Sequence, residues 1–354
     1  MNSFRILNNK YTLLGNIFLG NIVLTSSSNV FSKMVKPKVY VTRKMNEEAM
    51  AILEKDCDVI SWSGTDPVPR AELLKNIEQV DGLYCVLTDK IDKNVLDVAK
   101  NLKVISTMSV GYDHLDINEI KKRGIKVGYT PETLTDATAE LTVGLLLATC
   151  RRLIEANAAA KGGKWQTWSP FWMCGTSLKN ATVGFFGFGR IGQEIARRLK
   201  TFKTKEILYT SRNAKPEAAE IGALKVDFEN LLAKSDFLIV CCSFNESTRG
   251  KFNLDAFKKM KKNAVFINSS RGGVVNQDDL VIALKDKLIW GAGLDVTTPE
   301  PLPIDHALFK FENCVILPHI GSAAIDCRME MAALTAENIV TALRGEPMPS
   351  ELKF

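Results

Sequence analysis

The sequence predicts an α/β protein built on two doubly wound parallel sheets, one in each of two domains. Three observations carry that expectation. Short β-rich apolar runs alternate with segments of 3.6-residue periodicity from residue 39 onward. The alternation breaks between residues 135 and 180 and then begins again. A chain of 354 residues is also longer than one ordinary core accommodates.

In the first alternation the strand-like runs are 39–42, 59–62, 82–87, 103–107 and 126–129. Helical patterns at 46–55, 69–77 and 93–100 separate them. Strands that are apolar throughout belong to a parallel sheet covered on both faces. A long helical pattern follows over 135–160, with Thr135 and Asp136 as its expected cap and Leu141, Leu145 and Leu146 as its apolar stripe. Residues 161–175 then hold Trp165, Trp168 and Trp172 among glycine and proline, which predicts an ordered loop packed against something.

The second alternation places strands at 181–186, 206–209, 237–242, 264–268, 291–296 and 314–317. Six is the strand count of a doubly wound dinucleotide-binding domain. The last helical pattern, 323–343, is long enough to return to the first domain. The expected division is an N-terminal extension at 1–33, a first domain at 34–137 with 321–354, and a second at 138–320.

Charge narrows the classes of function. The formal net charge is +6, yet seven of the 46 basic groups precede Glu47, the first acid. The remaining 39 face 40 acidic groups, so the body is neutral and offers no basic face for nucleic acid. Residues 11–24 are apolar but interrupted by Gly15, Asn16, Gly20 and Asn21, short of the roughly 20 apolar residues of a spanning helix. The acid-free, Ser-rich composition of 1–33 leaves two readings, a mitochondrial presequence or an extension upstream of Met34. Eight cysteines without CxxC spacing or a Cys/His cluster predict reduced thiols and no metal site. Cytoplasm is the expected compartment, with the mitochondrion as the alternative.

Five strand ends carry chemistry. Gly187-Phe188-Gly189-Arg190-Ile191-Gly192 follows a strand and opens a helix, the setting in which such glycines bring backbone N–H groups to a pyrophosphate. After the next strand, where an acid would hold the adenosine ribose, stand Ser211, Arg212 and Lys215. A 2′-phosphate suits those donors, so NADPH is expected, with NADH as a weaker substitute. Arg271 lies on the strand-end loop 268–273, where a guanidinium can hold a carboxylate through two parallel N–H bonds.

Glu300 and His319 close the remaining two ends. The chain has three histidines. His114 and His306 read as surface or capping groups, whereas His319 ends an apolar strand on the cofactor edge. A carboxylate beside that imidazole makes it a usable proton donor.

These residues resemble a known family, the D-isomer-specific 2-hydroxyacid dehydrogenases, over about residues 36–354. The resemblance rests on GFGRIG at 187–192, NSSRGGVVNQDDL at 268–280, GLDVTTPEP at 293–301 and LPHIGS at 317–322. It implies a flavodoxin-like substrate domain beside a Rossmann dinucleotide-binding domain. It implies NADPH-dependent reduction of small 2-oxo acids, glyoxylate to glycolate and hydroxypyruvate to D-glycerate. Arg271, Glu300 and His319 would be the catalytic set. Backbone N–H groups at Val110 and Gly111 would hold the substrate carboxylate, and Trp168 would reach into the other subunit of a homodimer. Ser243, Ser269, Asp295 and Gly321 would join the glycine turn around the cofactor. Neither nucleic acid nor membrane is an expected partner.

Two other functions fit parts of the pattern. A phosphoglycerate dehydrogenase would favour NAD and usually carries a regulatory domain this length does not hold. A non-catalytic dinucleotide-sensing corepressor of the same family would have a long C-terminal tail.

Overall fold

A computed structural model describes residues 35–354. The expectations for residues 1–33 lie outside the described residues. The first sheet has five parallel strands, β1 (Lys38–Val41), β2 (Asp58–Ser61), β3 (Gly82–Cys85), β4 (Val104–Thr107) and β5 (Lys126–Gly128). Their order is β2-β1-β3-β4-β5, the doubly wound flavodoxin-like arrangement.

Successive residues of each strand enter opposite core layers. Tyr40, Leu83, Ile105 and Val127 pack with Ile77, Val95 and Ile120 on one face. Val39, Val41, Tyr84 and Val104 pack with Leu53, Met331, Ala336 and Ile339 on the other. This double burial is why the runs read as apolar at every position.

The C-terminal helix Ile325–Leu343 closes the second of those layers, lying on helix Glu47–Asp56 and on β3 and β4. Its Asn338 donates to the Tyr129 carbonyl at 3.2 Å and accepts from the Ser350 N–H at 2.8 Å. A Cβ on Gly128 would stand 2.7 Å from the Asn338 Cβ, so only glycine lets helix and strand approach. The chain end then returns to β5, where the Leu352 N–H donates to the Val127 carbonyl at 2.8 Å.

The second sheet has seven parallel strands, β6 (Thr182–Phe186), β7 (Glu206–Thr210), β8 (Ala223–Lys225), β9 (Phe237–Val240), β10 (Val265–Asn268), β11 (Gly291–Leu294) and β12 (Cys314–Ile316). The order is β12-β11-β10-β9-β6-β7-β8, a Rossmann sheet with one strand more than the six expected. The extra strand is β8, an edge of three residues whose Leu224 and Lys225 are exposed. It is too short and too polar to register as an apolar run. One face of the sheet carries Phe186, Phe228, Phe252, Phe257 and Phe266, with neighbouring ring centroids 5.0–5.6 Å apart and mostly edge-on. That geometry adds electrostatic complementarity to the apolar burial.

The segment between the sheets departs from expectation in three ways. The single pattern 135–160 is two helices, Thr135–Cys150 and Leu153–Lys161, broken at Arg152 with φ 55°. Residues 174–176 pass so close to the first helix end that a Cβ on Gly175 would lie 2.0 Å from the Cys150 carbonyl oxygen. Thr135 and Asp136 do not cap: Leu134 holds the cap position, and Asp136 instead pairs with Arg198 at 2.5 Å. The tryptophans of 161–175 find no cover within the described chain, Trp168 being 80% exposed.

No helix among the described residues is long and apolar enough to cross a membrane. All eight cysteines are free thiols, and burial pushes those of Cys57 and Cys150 up to about 11.

Candidate active site

The C-terminal edges of both sheets face a cleft of about 860 Å³. Ligands of open α/β sheets bind at such edges, where connections diverge at the switch in strand order. Arg43–Asn46 after β1, Val86–Thr88 after β3 and Met108 after β4 form one wall. Asp295, Glu300 and His319 are among the residues of the other.

The turn after β6 fits a dinucleotide. Gly187 has φ +92°, and a Cβ there would lie 2.6 Å from the Cys241 carbonyl oxygen, so no other residue is accommodated. Gly189 caps helix Arg190–Lys200 without any side-chain bond, and a Cβ on it would meet nothing within 4 Å. The helix therefore presents its N–H groups and the positive end of its dipole to open space. Gly192 lies against the Cys241 sulfur, where a Cβ would come within 2.8 Å. Ile191 packs between two core layers, and Arg190 pairs with Glu132 at 3.1 Å.

No carboxylate stands at the end of β7. Arg212 is exposed there, the Lys215 N–H donates to the Tyr209 hydroxyl at 3.2 Å, and the Ser211 hydroxyl donates to the Asn213 carbonyl at 2.6 Å. A third cation, missed in the sequence, is Lys225, whose ammonium donates to the Arg212 carbonyl at 3.4 Å. Only the pairing of β7 with β8 (Tyr209 opposite Lys225) brings it there.

At the next strand ends, Ser243 follows β9 and its carbonyl accepts from the Thr248 hydroxyl at 3.0 Å. Ser269 follows β10, its Oγ 2.8 Å from Thr142 Oγ1 on helix Thr135–Cys150.

His319 and Glu300 meet as expected. His319 Nδ1 lies 2.7 Å from Glu300 Oε2, while Glu300 Oε1 accepts from the Thr297 N–H at 3.0 Å. Burial opposes ionisation of Glu300. The hydrogen bond and charge of His319, the Thr297 N–H and the charge of Arg271 prevail, so its pKa lies below the ordinary carboxylate value.

His319 itself has φ 55°. Its turn is clamped by Asp295, whose two carboxylate oxygens accept from the Ile320 and Gly321 N–H groups at 2.8 Å each. Burial pushes the Asp295 carboxyl up in spite of those bonds. Asp295 thus holds the backbone that aims the imidazole.

Arg271 lies at the end of β10, and the carboxamide of Asn268 fixes its loop by donating to the Arg271 carbonyl at 3.0 Å. Its Nε donates to Asp113 of the first lobe at 3.0 Å and Nη1 to the Ser270 carbonyl at 2.9 Å. The guanidinium lies against Gly111, where a Cβ would stand 1.9 Å from Nη2.

The loop carrying Val110 and Gly111 is itself braced. Ser109 Oγ donates to the Gly111 carbonyl at 2.7 Å, and Thr107 Oγ1 lies 2.8 Å from Ser109 Oγ and 3.0 Å from His114 Nε2. His114 is thus no surface group. Burial, aided by the charge of Arg271 and opposed by Asp113, pushes its pKa down to about 4, which leaves it neutral at physiological pH. His306 is a cap, its Nδ1 accepting from the Leu308 N–H at 3.2 Å.

A Rossmann sheet with an uncapped glycine turn, and with an arginine and a carboxylate–histidine pair at its strand ends, defines a dehydrogenase that uses a nicotinamide dinucleotide. Residues 143–321 match the family model of the D-isomer specific 2-hydroxyacid dehydrogenase NAD binding domain. The chain belongs to that family. It is 56% identical over 321 residues to glyoxylate reductase/hydroxypyruvate reductase of Homo sapiens, covering 90% of this chain and 98% of that one. It is 46% identical over 320 residues to a glyoxylate reductase of Thermofilum pendens, covering 90% and 94%. Among solved structures, an NADPH-dependent glyoxylate/hydroxypyruvate reductase of Sinorhizobium meliloti, in complex with NADP and malonate, superposes with a TM-score of 0.80 at 30% identity, covering 90% of this chain and 97% of that one.

Proposed function

We propose that the protein reduces small 2-oxo acids with NADPH, glyoxylate to glycolate and hydroxypyruvate to D-glycerate. The observation that carries this reading is the Glu300–His319 pair at 2.7 Å, on the cleft at the cofactor edge of the Rossmann sheet. Names of the similar proteins support the same substrates.

When bound, the reduced nicotinamide supplies a hydride to the carbonyl carbon. Helix Arg190–Lys200 and its glycine turn hold the pyrophosphate. Negative charge that develops on the carbonyl oxygen is stabilised by the Arg271 guanidinium, which also grips the substrate carboxylate together with N–H groups of Val110 and Gly111. With Nδ1 held by Glu300, His319 gives a proton from Nε2 to that oxygen, completing the alcohol. Both lobes wall the cleft, so their closure excludes water. The test is to follow loss of reduced-nicotinamide absorbance on adding either acid. A protein that binds NADPH and turns over neither would overturn the reading.

Arg212, Lys215 and Lys225 favour the 2′-phosphate of NADPH. Arg212→Ala is expected to narrow the ratio of kcat/KM for NADPH over NADH by about tenfold, the loss of one charge-assisted contact. An unchanged ratio refutes the assignment.

The protein works as a homodimer in which Trp168 enters the partner's site. The exposed Trp165, Trp168 and Phe171 form an apolar surface unusual for a monomer. Light scattering is expected to give twice the chain mass, and a fully active monomer rules the dimer out. Eight free thiols support a reducing compartment, read as the cytoplasm.

A further inference from the structure

No step of the reduction uses His114, yet a chain of hydrogen bonds joins its ring to the loop that seats the substrate carboxylate. His114 Nε2 lies 3.0 Å from Thr107 Oγ1, which lies 2.8 Å from Ser109 Oγ, and that hydroxyl donates to the Gly111 carbonyl at 2.7 Å.

The last bond fixes the direction of all the others. A carbonyl only accepts, so the single hydroxyl hydrogen of Ser109 is spent on Gly111. Ser109 must then accept from Thr107. With its own hydrogen spent, Thr107 must accept from His114. Nε2 therefore carries the proton, and Nδ1 of the neutral ring does not. Thr107 and Ser109 are buried, so water offers no substitute donor. The His114 carbonyl accepts from the Ile91 N–H at 2.9 Å, which ties the origin of the chain to the segment after β3.

The far end of the chain bears on Arg271. The guanidinium lies against Gly111, where a Cβ would stand 1.9 Å from Nη2, and Asp113 accepts from its Nε at 3.0 Å. Residues 107–114 thus support the guanidinium from the first lobe, with no slack at Gly111.

We infer that His114 is a positioning residue, whose Nε2–H orders the two hydroxyls that hold the Gly111 backbone and so sets the seat of the substrate carboxylate. The inference rests on the 2-oxo acid reading given above and deepens it. While Nε2 donates to Thr107, the chain has one polarity and Ser109 stays turned to Gly111. Without that donor Thr107 can accept from Ser109 instead, and the Gly111 carbonyl is released.

The experiment measures kcat and KM for glyoxylate and hydroxypyruvate, with NADPH binding followed by fluorescence. The proteins are the wild type, His114→Phe, His114→Gln, Ser109→Ala and the double variant Ser109→Ala/His114→Phe. In His114→Phe, KM for both acids is expected to rise about tenfold, as for one lost buried hydrogen bond, with kcat less affected and NADPH binding unchanged. Glutamine, whose Nε2 also donates, should recover most of that loss. Ser109→Ala should raise KM similarly, and the double variant no further than the larger single effect, because both changes break one chain. Nitrogen NMR of the three imidazoles should show the His114 ring, assigned by its loss in His114→Phe, as the Nε2–H tautomer. An unchanged KM in a folded His114→Phe, additive effects in the double variant, or a ring protonated on Nδ1 alone each overturn the inference. Should the phenylalanine variant fail to fold, the KM of Ser109→Ala and the wild-type tautomer still decide. A wild-type protein that turns over neither acid overturns the underlying substrate reading instead, and the tautomer then tests the chain by itself.

Discussion

Replacing Arg271 by alanine is expected to lower kcat/KM for the 2-oxo acid about a hundred- to a thousand-fold, the cost of one preorganised charge donor at a developing oxyanion. Binding of NADPH, followed by its fluorescence, should remain as in the wild type, because no part of the glycine turn touches this side chain. Lysine should not restore the rate, since an ammonium lacks the planar fork that grips a carboxylate. Gly111→Ala offers an independent check. Its Cβ would fall 1.9 Å from Nη2 and must displace the guanidinium, so it should mimic the alanine variant without altering Arg271. Near-normal turnover in Arg271→Ala would remove the arginine from the mechanism.

His319→Ala is expected to lower kcat about a hundred- to ten-thousand-fold, the range for a lost general acid. Added imidazole should restore part of that rate, which a variant merely damaged in folding would not allow. Glu300 adds a pH signature. Its folded pKa lies below the unfolded value of about 4.3, so its contribution to stability is present above that value and lost as pH falls through the folded one. Neutral pH therefore leaves the pair intact. An unchanged kcat in His319→Ala would sink the assignment.

What the sequence revealed depended on whether the physical cause was local. Gly187 was legible because a tight turn with positive φ after a strand admits one residue type. Glu300 and His319 were legible because each ends its own strand of one sheet. Arg271 could be placed on its loop, but its partner Asp113 is 158 residues away and nothing local connects them. The Asp295 clamp was likewise hidden, since its bonds go to backbone N–H groups that every residue but proline offers. His114 was misread because flanking aspartates suggest a wet surface, while the burial comes from the tertiary fold. The tryptophans of 161–175 were expected to be covered, but the described residues leave them exposed.

Protein synthesis meets this architecture in a fixed order. The second lobe is continuous in sequence, whereas one core layer of the first lobe stays open until helix Ile325–Leu343 has been made. The N-terminal part of the described chain must therefore wait through translation of the whole Rossmann sheet with Val39, Tyr84 and Val104 uncovered. Released fragments ending at Ala324 should resist protease in the second lobe and be cut in the first; equal resistance would show that the helix is not needed. The last stretch translated completes the first lobe and brings Arg328 and Met329 to the cleft wall, so an unfinished chain carries an unfinished active site.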